Sequence, residues 1–175
     1  MLRRLFRKAW TLFLQKTNQA RLLAYLEVNA SDPASVRIYG KVDFGSEPWI
    51  ISLGRNVYLT DGVKFLTHDG ATLLFRDRIP DLEITKPISL GNNVYLGNNV
   101  LLLPGVTVGD NVVVGAGAVV TKNIPSNEVW AGCPAEKIES TDQYLSKAEM
   151  QSIHLGHLKG KEKDEALRRH FGWGK

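Results

Sequence analysis

The sequence predicts an all-β solenoid, a parallel β-helix with helical segments at both ends, and three observations support this fold class. Residues 90–125 divide into six hexads that keep one phase, whereas an α-helical period would drift out of phase over this length. The first and fifth positions of each hexad are small or branched aliphatics, and glycine fills the second position in four of the six. A six-residue repeat of short β-rich steps indicates a β-helix in which each hexad forms one flat side of a prism. The first positions are Leu90, Leu96, Leu102, Val108, Val114 and Val120.

A less regular set of hexads over residues 53–70 has the same phase. Because three hexads close one triangular turn, this set predicts about one coil and residues 90–125 predict two more. Residues 36–42 are consistent with a degenerate first coil. We expect the first-position aliphatics to stack inside the prism. Glycine and asparagine at the corners are expected to adopt left-handed backbone conformations.

Residues 71–87 break the hexad phase with Arg76, Asp77, Arg78 and Pro80. We interpret them as a loop that projects outward from the prism. A loop of this length in a compact domain is usually functional.

The two ends of the chain differ from the repeat in composition. Residues 1–30 carry six basic residues against one acidic residue, a charge of +5 that leaves −1 for the rest of a chain whose net charge is +4. The spacing of apolar residues there predicts an amphipathic helical segment, followed by a β-helix domain over residues 31–138. Residues 139–175 are expected to form a helix beginning near Gln143 and a charged, loosely held tail. Because the positive charge is confined to one segment, a nucleic-acid-binding surface is not expected.

Composition places the chain among ordinary soluble domains, with 43% hydrophobic and 23% charged residues in 175. The single cysteine, Cys133, cannot form an intrachain disulfide and suits a reducing compartment. No membrane-spanning run or cleavable signal is expected. The sequence therefore predicts a cytoplasmic protein, with peripheral contact at the inner membrane face as a further expectation.

Two runs, PGVTVGDN at residues 104–111 and GAGAVVTK at residues 115–122, resemble the closing coils of hexapeptide-repeat acyltransferases. The likeness is strongest to the galactoside, maltose and nodulation-factor O-acetyltransferases and to enzymes that acetylate bacterial surface polysaccharides. It is close over residues 91–138 and extends, with the earlier coil and its loop, over about 100 residues. The resemblance implies a left-handed parallel β-helix and a homotrimer with active sites in the clefts between neighbouring prisms. The implied donor is acetyl-CoA, and no metal is expected.

His68 is the candidate general base. An alcohol is a poor nucleophile until its proton is removed, and histidine has an ordinary pKa near neutrality. His68 ends a coil immediately before the outward loop, where the resembling family also places its catalytic histidine. The alternative is a hydrogen-bonded turn residue. Asp69 is expected either to orient the imidazole as in a catalytic triad or to cap the turn, and adjacent residues of an extended coil point to opposite faces.

The resemblance places the acyl donor at Asn98, Ala116, Thr121 and Lys122. Ala116 and its flanking glycines leave backbone amides uncovered for the pantetheine arm, and Lys122 offers a charge to a phosphate. Small residues of this kind also build a plain prism wall, which is the alternative. The family usually has a basic residue after the Gly-x-Pro segment, whereas in this chain Glu136 and Glu139 flank a single basic residue, Lys137.

Arg76 and Arg78 are the candidate acceptor-binding residues, able to hold a sugar phosphate, a uronic acid or a lipid-linked pyrophosphate. Solvated loop charges are the alternative. The resemblance points to a sugar hydroxyl of a capsule, a lipopolysaccharide or an exopolysaccharide. Residues 1–16, with aromatic side chains between basic ones, are expected either to contact an anionic membrane surface or to cover the open end of the prism.

Two competing functions remain open, and a third, a zinc-dependent anhydrase or hydrolase, is not expected. A carbonic-anhydrase-like zinc site on the same prism needs three histidines, and of the four in this chain only His68 lies in the repeat; His154 and His157 lie in the C-terminal segment. The chain could instead acylate the amine of a nucleotide-linked sugar or an antibiotic, where a base is less necessary. A non-catalytic β-helical scaffold is the other open reading.

Overall fold

The computed structural model describes residues 10–11 and 13–173. The chain divides into two compact units, Met1–Thr141 and Asp142–Lys175. Strands of the first unit form three sheets. Sheet A contains β1 (Asn29–Ala30), β3 (Ile51–Leu53), β6 (Ile88–Leu90) and β9 (Thr107–Val108). Sheet B contains β2 (Arg37–Ile38), β4 (Val57–Leu59), β7 (Val94–Leu96), β10 (Val112–Val114), β12 (Glu128–Ala131) and β13 (Glu136–Ser140); sheet C contains β5 (Lys64–Phe65), β8 (Leu101–Leu102) and β11 (Val119–Val120).

The chain visits sheets A, B and C in turn, and each coil pairs in parallel with the coils before and after it. In sheet B, Val57 pairs with Val94, which pairs in turn with Val112. This register confirms the predicted coils over residues 53–70 and 90–125. The degenerate first coil is also present, because Arg37 pairs with Tyr58 and Asp43 forms a parallel bridge with Lys64.

The core of the solenoid consists of the first and fifth hexad positions, as predicted. Every first-position side chain from Leu53 to Val120 is at most 4% exposed, and the fifth-position aliphatics from Val57 to Ile124 are equally buried. Asp69, the fifth residue of the hexad that precedes the loop, is exposed. The buried aliphatic side chains form one continuous cluster that also takes in residues of the N-terminal segment. Burial of stacked aliphatics is therefore the main term that stabilises each coil.

The corners of the prism confirm the backbone expectation for asparagine and for the glycines in the fourth hexad position, since Gly62, Gly105 and Gly117 have positive φ values. Asparagines do adopt positive φ values there, at Asn56, Asn93, Asn99, Asn111 and Asn127. The second-position glycines of the hexads do not. They are needed because the next coil passes too close for a side chain: a Cβ on Gly97 would lie 2.6 Å from the backbone nitrogen of Ala116.

The corner asparagines between sheets A and B form a ladder along the prism. The amide of Asn56 donates to Asn93, Asn93 donates to Asn111, and Asn111 donates to Asn127, each over 2.9 Å. Because a primary amide carries two N–H groups, each rung uses one donor within the ladder. The ladder holds the corners in register.

The N-terminal end of the solenoid is covered by helical residues. Residues 13–17 are helical, and helix α1 (Gln19–Tyr25) follows after the cap residue Asn18. Leu14, Leu22 and Leu23 enter the solenoid core. The Gln19 amide accepts from the Ile38 N–H over 2.9 Å and donates to the Ile38 carbonyl over 2.8 Å, so it takes the place of a neighbouring strand at the edge of β2.

These contacts support the covering role for the described part of this segment. The predictions for residues 1–9 and 12 lie outside the described residues. Trp10 and Phe13, stacked at 5.4 Å between ring centroids, are 40% and 53% exposed.

At the opposite end, β13 pairs antiparallel with β12. Two helices complete the chain, α2 (Thr141–Gln151) and α3 (Gly160–His170). Helix α3 lies within the segment expected to form a charged tail. Its sequence is rich in Lys, Glu, Ala, Leu and Arg, which favour helix, and basic residues in its last turn complement the helix dipole. No helix among the described residues has the length and apolarity needed to span a membrane.

Candidate active site

His68 lies at the corner between sheets C and A, shortly after β5, and the outward loop closes on it. The Lys86 N–H donates to the Thr67 carbonyl over 2.8 Å, and the Asp69 N–H donates to the Ile84 carbonyl over 2.9 Å. These two bonds fix the backbone on both sides of the histidine. The side chain of His68 remains 42% exposed. The histidine is thus held rigidly while its ring stays accessible.

Glu47 is the partner of His68 and was missed by sequence reasoning. Its Oε2 atom lies 3.0 Å from His68 Nδ1 and accepts a 2.5 Å hydrogen bond from the hydroxyl of the buried Thr67. The close approach depends on Gly45, whose φ is +69° and where a Cβ would lie 2.7 Å from the Phe65 carbonyl oxygen. No hexad or motif marks residues 43–50, so the sequence alone carried no signal for this contact.

Electrostatics fix the roles within this pair. The Thr67 hydrogen bond, reinforced by the hydrogen bond and charge of His68, lowers the pKa of the Glu47 carboxyl below its usual 4.5. Glu47 is therefore ionised at neutral pH and can only accept, so Nδ1 of His68 carries the proton. The lone pair of the neutral ring then lies on Nε2, the arrangement that a general base requires.

Asp69 has a different partner. Its Oδ1 atom accepts from the Ala71 N–H over 2.9 Å and caps a 3-10 helix at Gly70–Phe75. This is the turn-capping alternative for Asp69. In this chain the carboxylate hydrogen-bonded to His68 is that of Glu47.

The predicted donor residues fall into two groups on either side of sheet C. Asn98 and Ala116 lie on successive coils at the corner between sheets B and C, where the Asn98 carbonyl accepts from the Gly117 N–H over 2.7 Å. Thr121 and Lys122 follow β11 and lie at the corner between sheets C and A, the corner that also carries His68. The four predicted donor residues therefore lie at two different corners of the prism, two at each.

Lys122 is engaged by one of the glutamates that the sequence marked as a departure. Its Nζ lies 2.8 and 2.9 Å from the two carboxylate oxygens of Glu136 and 5.3 Å from the centroid of the Trp130 ring. The side chains of Lys122 and Glu136 are 52% and 61% exposed. Exposed ion pairs of this kind contribute little, so an anionic ligand can compete for the ammonium group.

The two loop arginines differ in environment. Arg76 donates to Glu83 over 2.6 Å and to the Leu82 carbonyl over 3.1 Å, which ties the loop together. The Arg78 guanidinium is exposed and has no side-chain partner among the described residues. Arg78 is therefore the better placed of the two for a ligand.

Metal ligation finds no support in the described part of the chain, where no group of three or more His, Cys, Asp or Glu side chains is placed to hold an ion. His154 and His157 are exposed, and the ring of His170 packs edge-on against Phe171 at 4.8 Å.

Comparison with known proteins identifies the class of this chain. Residues 87–122 match the family model described as bacterial transferase hexapeptide, six repeats. Protein CapG of Staphylococcus aureus is 48% identical over 104 residues, which cover 59% of this chain and 60% of CapG. "Putative acetyltransferase SAR2635" of Staphylococcus aureus strain MRSA252 is 31% identical over 146 residues, which cover 73% of this chain and 72% of that protein.

A solved structure agrees with these sequence relatives. A galactoside acetyltransferase in complex with coenzyme A superposes with a TM-score of 0.51 at 28% identity, over 77% of this chain and 66% of that one. The chain belongs to the hexapeptide-repeat acyltransferases, which confirms the predicted resemblance. The alignment with CapG spans less than two thirds of that relative's length.

Proposed function

We propose that this chain is an acetyl-CoA-dependent O-acetyltransferase that acts on a sugar hydroxyl, with His68 as the general base. The observation that carries the proposal is the 3.0 Å contact between Glu47 Oε2 and His68 Nδ1, which leaves Nε2 free on an exposed ring. The family to which the chain belongs supplies the reaction class. Glu47 is the residue that positions the imidazole.

The reaction follows from this geometry. Nε2 of His68 takes the proton of the acceptor hydroxyl as its oxygen attacks the thioester carbonyl of acetyl-CoA. A carbon–oxygen bond forms, the carbon–sulfur bond breaks, and the imidazolium returns its proton to the departing thiolate. The negative charge of Glu47 stabilises the transient imidazolium, and a backbone N–H of a neighbouring coil would hold the oxyanion. No covalent acyl-enzyme is needed.

The donor is proposed to lie along sheet C between its two corners. Asn98 and Ala116 would contact the pantetheine arm on one side, and Thr121 and Lys122 would contact the donor on the other. The galactoside acetyltransferase relative was solved with coenzyme A, which supports the same donor here. A left-handed coil and a homotrimer with sites between neighbouring prisms complete the proposal, with the β-helix domain at residues 31–138, the N-terminal segment at 1–30 and the C-terminal segment at 139–175.

For the acceptor we propose a sugar of a bacterial surface polysaccharide. The exposed Arg78 of the outward loop suits an acidic or phosphorylated sugar. We place the reaction in the cytoplasm, where acetyl-CoA is made, with residues 1–16 as the candidate contact to an anionic membrane face.

Donor binding and turnover test the two halves of this proposal separately. Acetyl-CoA at a hundredfold excess over its Kd should stabilise the native state by about 2.7 kcal/mol, a rise in Tm of about 5–10 °C, in the wild type and in His68→Ala. His68→Ala should lower kcat for transfer to a glycan acceptor by about 10²–10⁴-fold, and Glu47→Gln by a smaller factor at similar KM.

The matched control is His157→Ala, which removes an exposed histidine of the C-terminal unit and should retain full activity. A folded wild type with no response to acetyl-CoA would favour the scaffold reading. Near-normal turnover in His68→Ala would remove the base from the mechanism, and would favour an amine acceptor.

A further inference from the structure

Sheet B carries a strip of three tyrosines, two exposed and one half-buried, that the proposed reaction does not use. The outward residues of β4 and β7 are Tyr58 and Tyr95, and Tyr39 follows β2. Their rings succeed one another at 6.5 Å between centroids, with an interplanar angle of 5° for the first pair and 39° for the second. Tyr39 is 55% exposed and Tyr95 is 43% exposed. We call these three residues the tyrosine strip.

The asparagine ladder runs beside the strip. An open groove of about 400 Å³ is lined by the three tyrosines together with Asn56, Asn93, Val94, Val112 and Val113. Each rung of the ladder uses one amide N–H for the next rung, so the ladder leaves the second N–H of Asn56 and of Asn93 unused. The groove therefore combines apolar aromatic surface with a row of hydrogen-bond donors.

No side chain that lines this groove is charged at neutral pH. A phosphate-bearing polymer or an anionic lipid surface has no counter-charge within it. Aromatic surface bordered by amide donors matches a ligand with apolar C–H faces and many hydroxyls, as a sugar ring has. The chemistry of the lining thus favours an uncharged glycan.

The width of the surface favours a linear occupant. Strands β4 and β7 have three residues each, of which the first and third are buried, so one side chain per strand points outward. The strip is one side chain wide and continues across successive coils. A stable protein interface needs about 800 Å² from each partner, which calls for a broader patch.

We propose that the tyrosine strip and the asparagine ladder form a binding track for an uncharged glycan segment, laid across the coils along the prism. Because the strip lies on sheet B while His68 lies at the corner of sheets C and A, the track holds a part of the acceptor polymer that is distant from the reacting hydroxyl in the same chain. This inference rests on the proposed function in one respect, namely that the acceptor is a glycan. It adds a site that retains the polymer between transfers.

A bacterial glycan array probed with the full chain tests the track. Retention of neutral glycans should increase with the number of sugar units and should fall at least tenfold in Tyr58→Ala and in Tyr95→Ala. Tyr144→Ala, which removes a 46% exposed tyrosine of α2, is the matched control and should bind as the wild type does. Absence of any tyrosine-dependent glycan binding would overturn the proposal.

Two further measurements distinguish the glycan track from a contact between copies of this chain and from the proposed acetyl transfer. Analytical ultracentrifugation should give the same mass for the wild type, Tyr58→Ala and Tyr95→Ala; a smaller species in the variants would make the strip a contact between copies of this chain and overturn the glycan track. The acetyl-CoA-induced rise in Tm should be unchanged in both variants. If glycan binding fails while this rise persists, the track alone is wrong and the proposed acetyl transfer stands.

Discussion

Glu47 and His68 are separated by 21 residues and meet because one coil is stacked on the next. His68 could be predicted because its chemistry and its place before the loop are visible in the sequence. Glu47 could not, since its position depends on Gly45 passing close to the backbone of Phe65, a contact that no repeat encodes. Asp69 was a candidate to orient the imidazole because it follows His68 in the sequence, yet its carboxylate caps the following turn.

The ionised state of Glu47 also gives a pH signature. Because the folded state holds the pKa of Glu47 below its usual 4.5, the native state is stabilised at neutral pH and loses this contribution as the pH falls through the folded pKa. We expect Glu47→Gln to lower Tm at pH 7 by about 2 °C, and this difference to shrink at pH values below 4.5. Thermal unfolding followed by circular dichroism from pH 7 to pH 3 measures it.

Glu149→Gln, an exposed glutamate of α2, should show no comparable trend. A deficit in Glu47→Gln that grows on acidification would reverse the sign and remove the ionised carboxylate from the site.

At the scale of elements, the solenoid is stable because its strands are short and because asparagine and glycine occupy the corners. The hexad phase predicted which side chains are buried, since a strand of two or three residues can only point them inward at fixed positions. It did not predict why the second-position glycines are needed: they are sites of close approach between coils, as at Gly97, and not left-handed turns. The hexad pattern also did not predict how the N-terminal end of the solenoid is covered, because Gln19 pairs with the backbone of β2 through its side-chain amide.

The Gln19 contact makes a separate prediction. Gln19→Ala leaves the N–H and the carbonyl of the buried Ile38 without their partner, and should lower the free energy of unfolding by about 2 kcal/mol. Urea denaturation measures the change. Gln15→Ala, four residues earlier in the same segment, is the matched control and should lie within about 0.5 kcal/mol of the wild type. Equal stability of the two variants would mean that water replaces the amide at this edge.

At the scale of the whole molecule, the repeat predicted the architecture, and the two units at Met1–Thr141 and Asp142–Lys175 emerge from the structure. The family resemblance predicted His68 as the base and predicted the donor positions by motif. Sequence could not place those positions relative to one another, because Ala116 and Lys122 are near neighbours along the chain but lie at different corners of the prism. Their separation leads us to expect that a complete site needs two chains.

Subunit complementation measures this expectation. His68→Ala and Ala116→Trp chains should each be inactive, the second because an indole would fill the donor surface. Refolded together in equal amounts, they should recover about a quarter of the wild-type activity if each site takes its histidine and its donor surface from different copies. His157→Ala, which removes an exposed histidine of the C-terminal unit, is the control for refolding. No recovery in mixed oligomers of the expected mass would place the whole site within one chain.

The antiparallel pairing of β13 with β12 has a consequence for association between copies of this chain. A stack of parallel coils is in principle endless, because its last strand presents the same unpaired backbone edge as every strand before it. In sheet B the last strand runs in the opposite direction, so the first coil of another copy cannot extend this sheet as a parallel strand. We therefore expect the reversal over Glu136–Ser140 to disfavour end-to-end stacking of copies through this sheet.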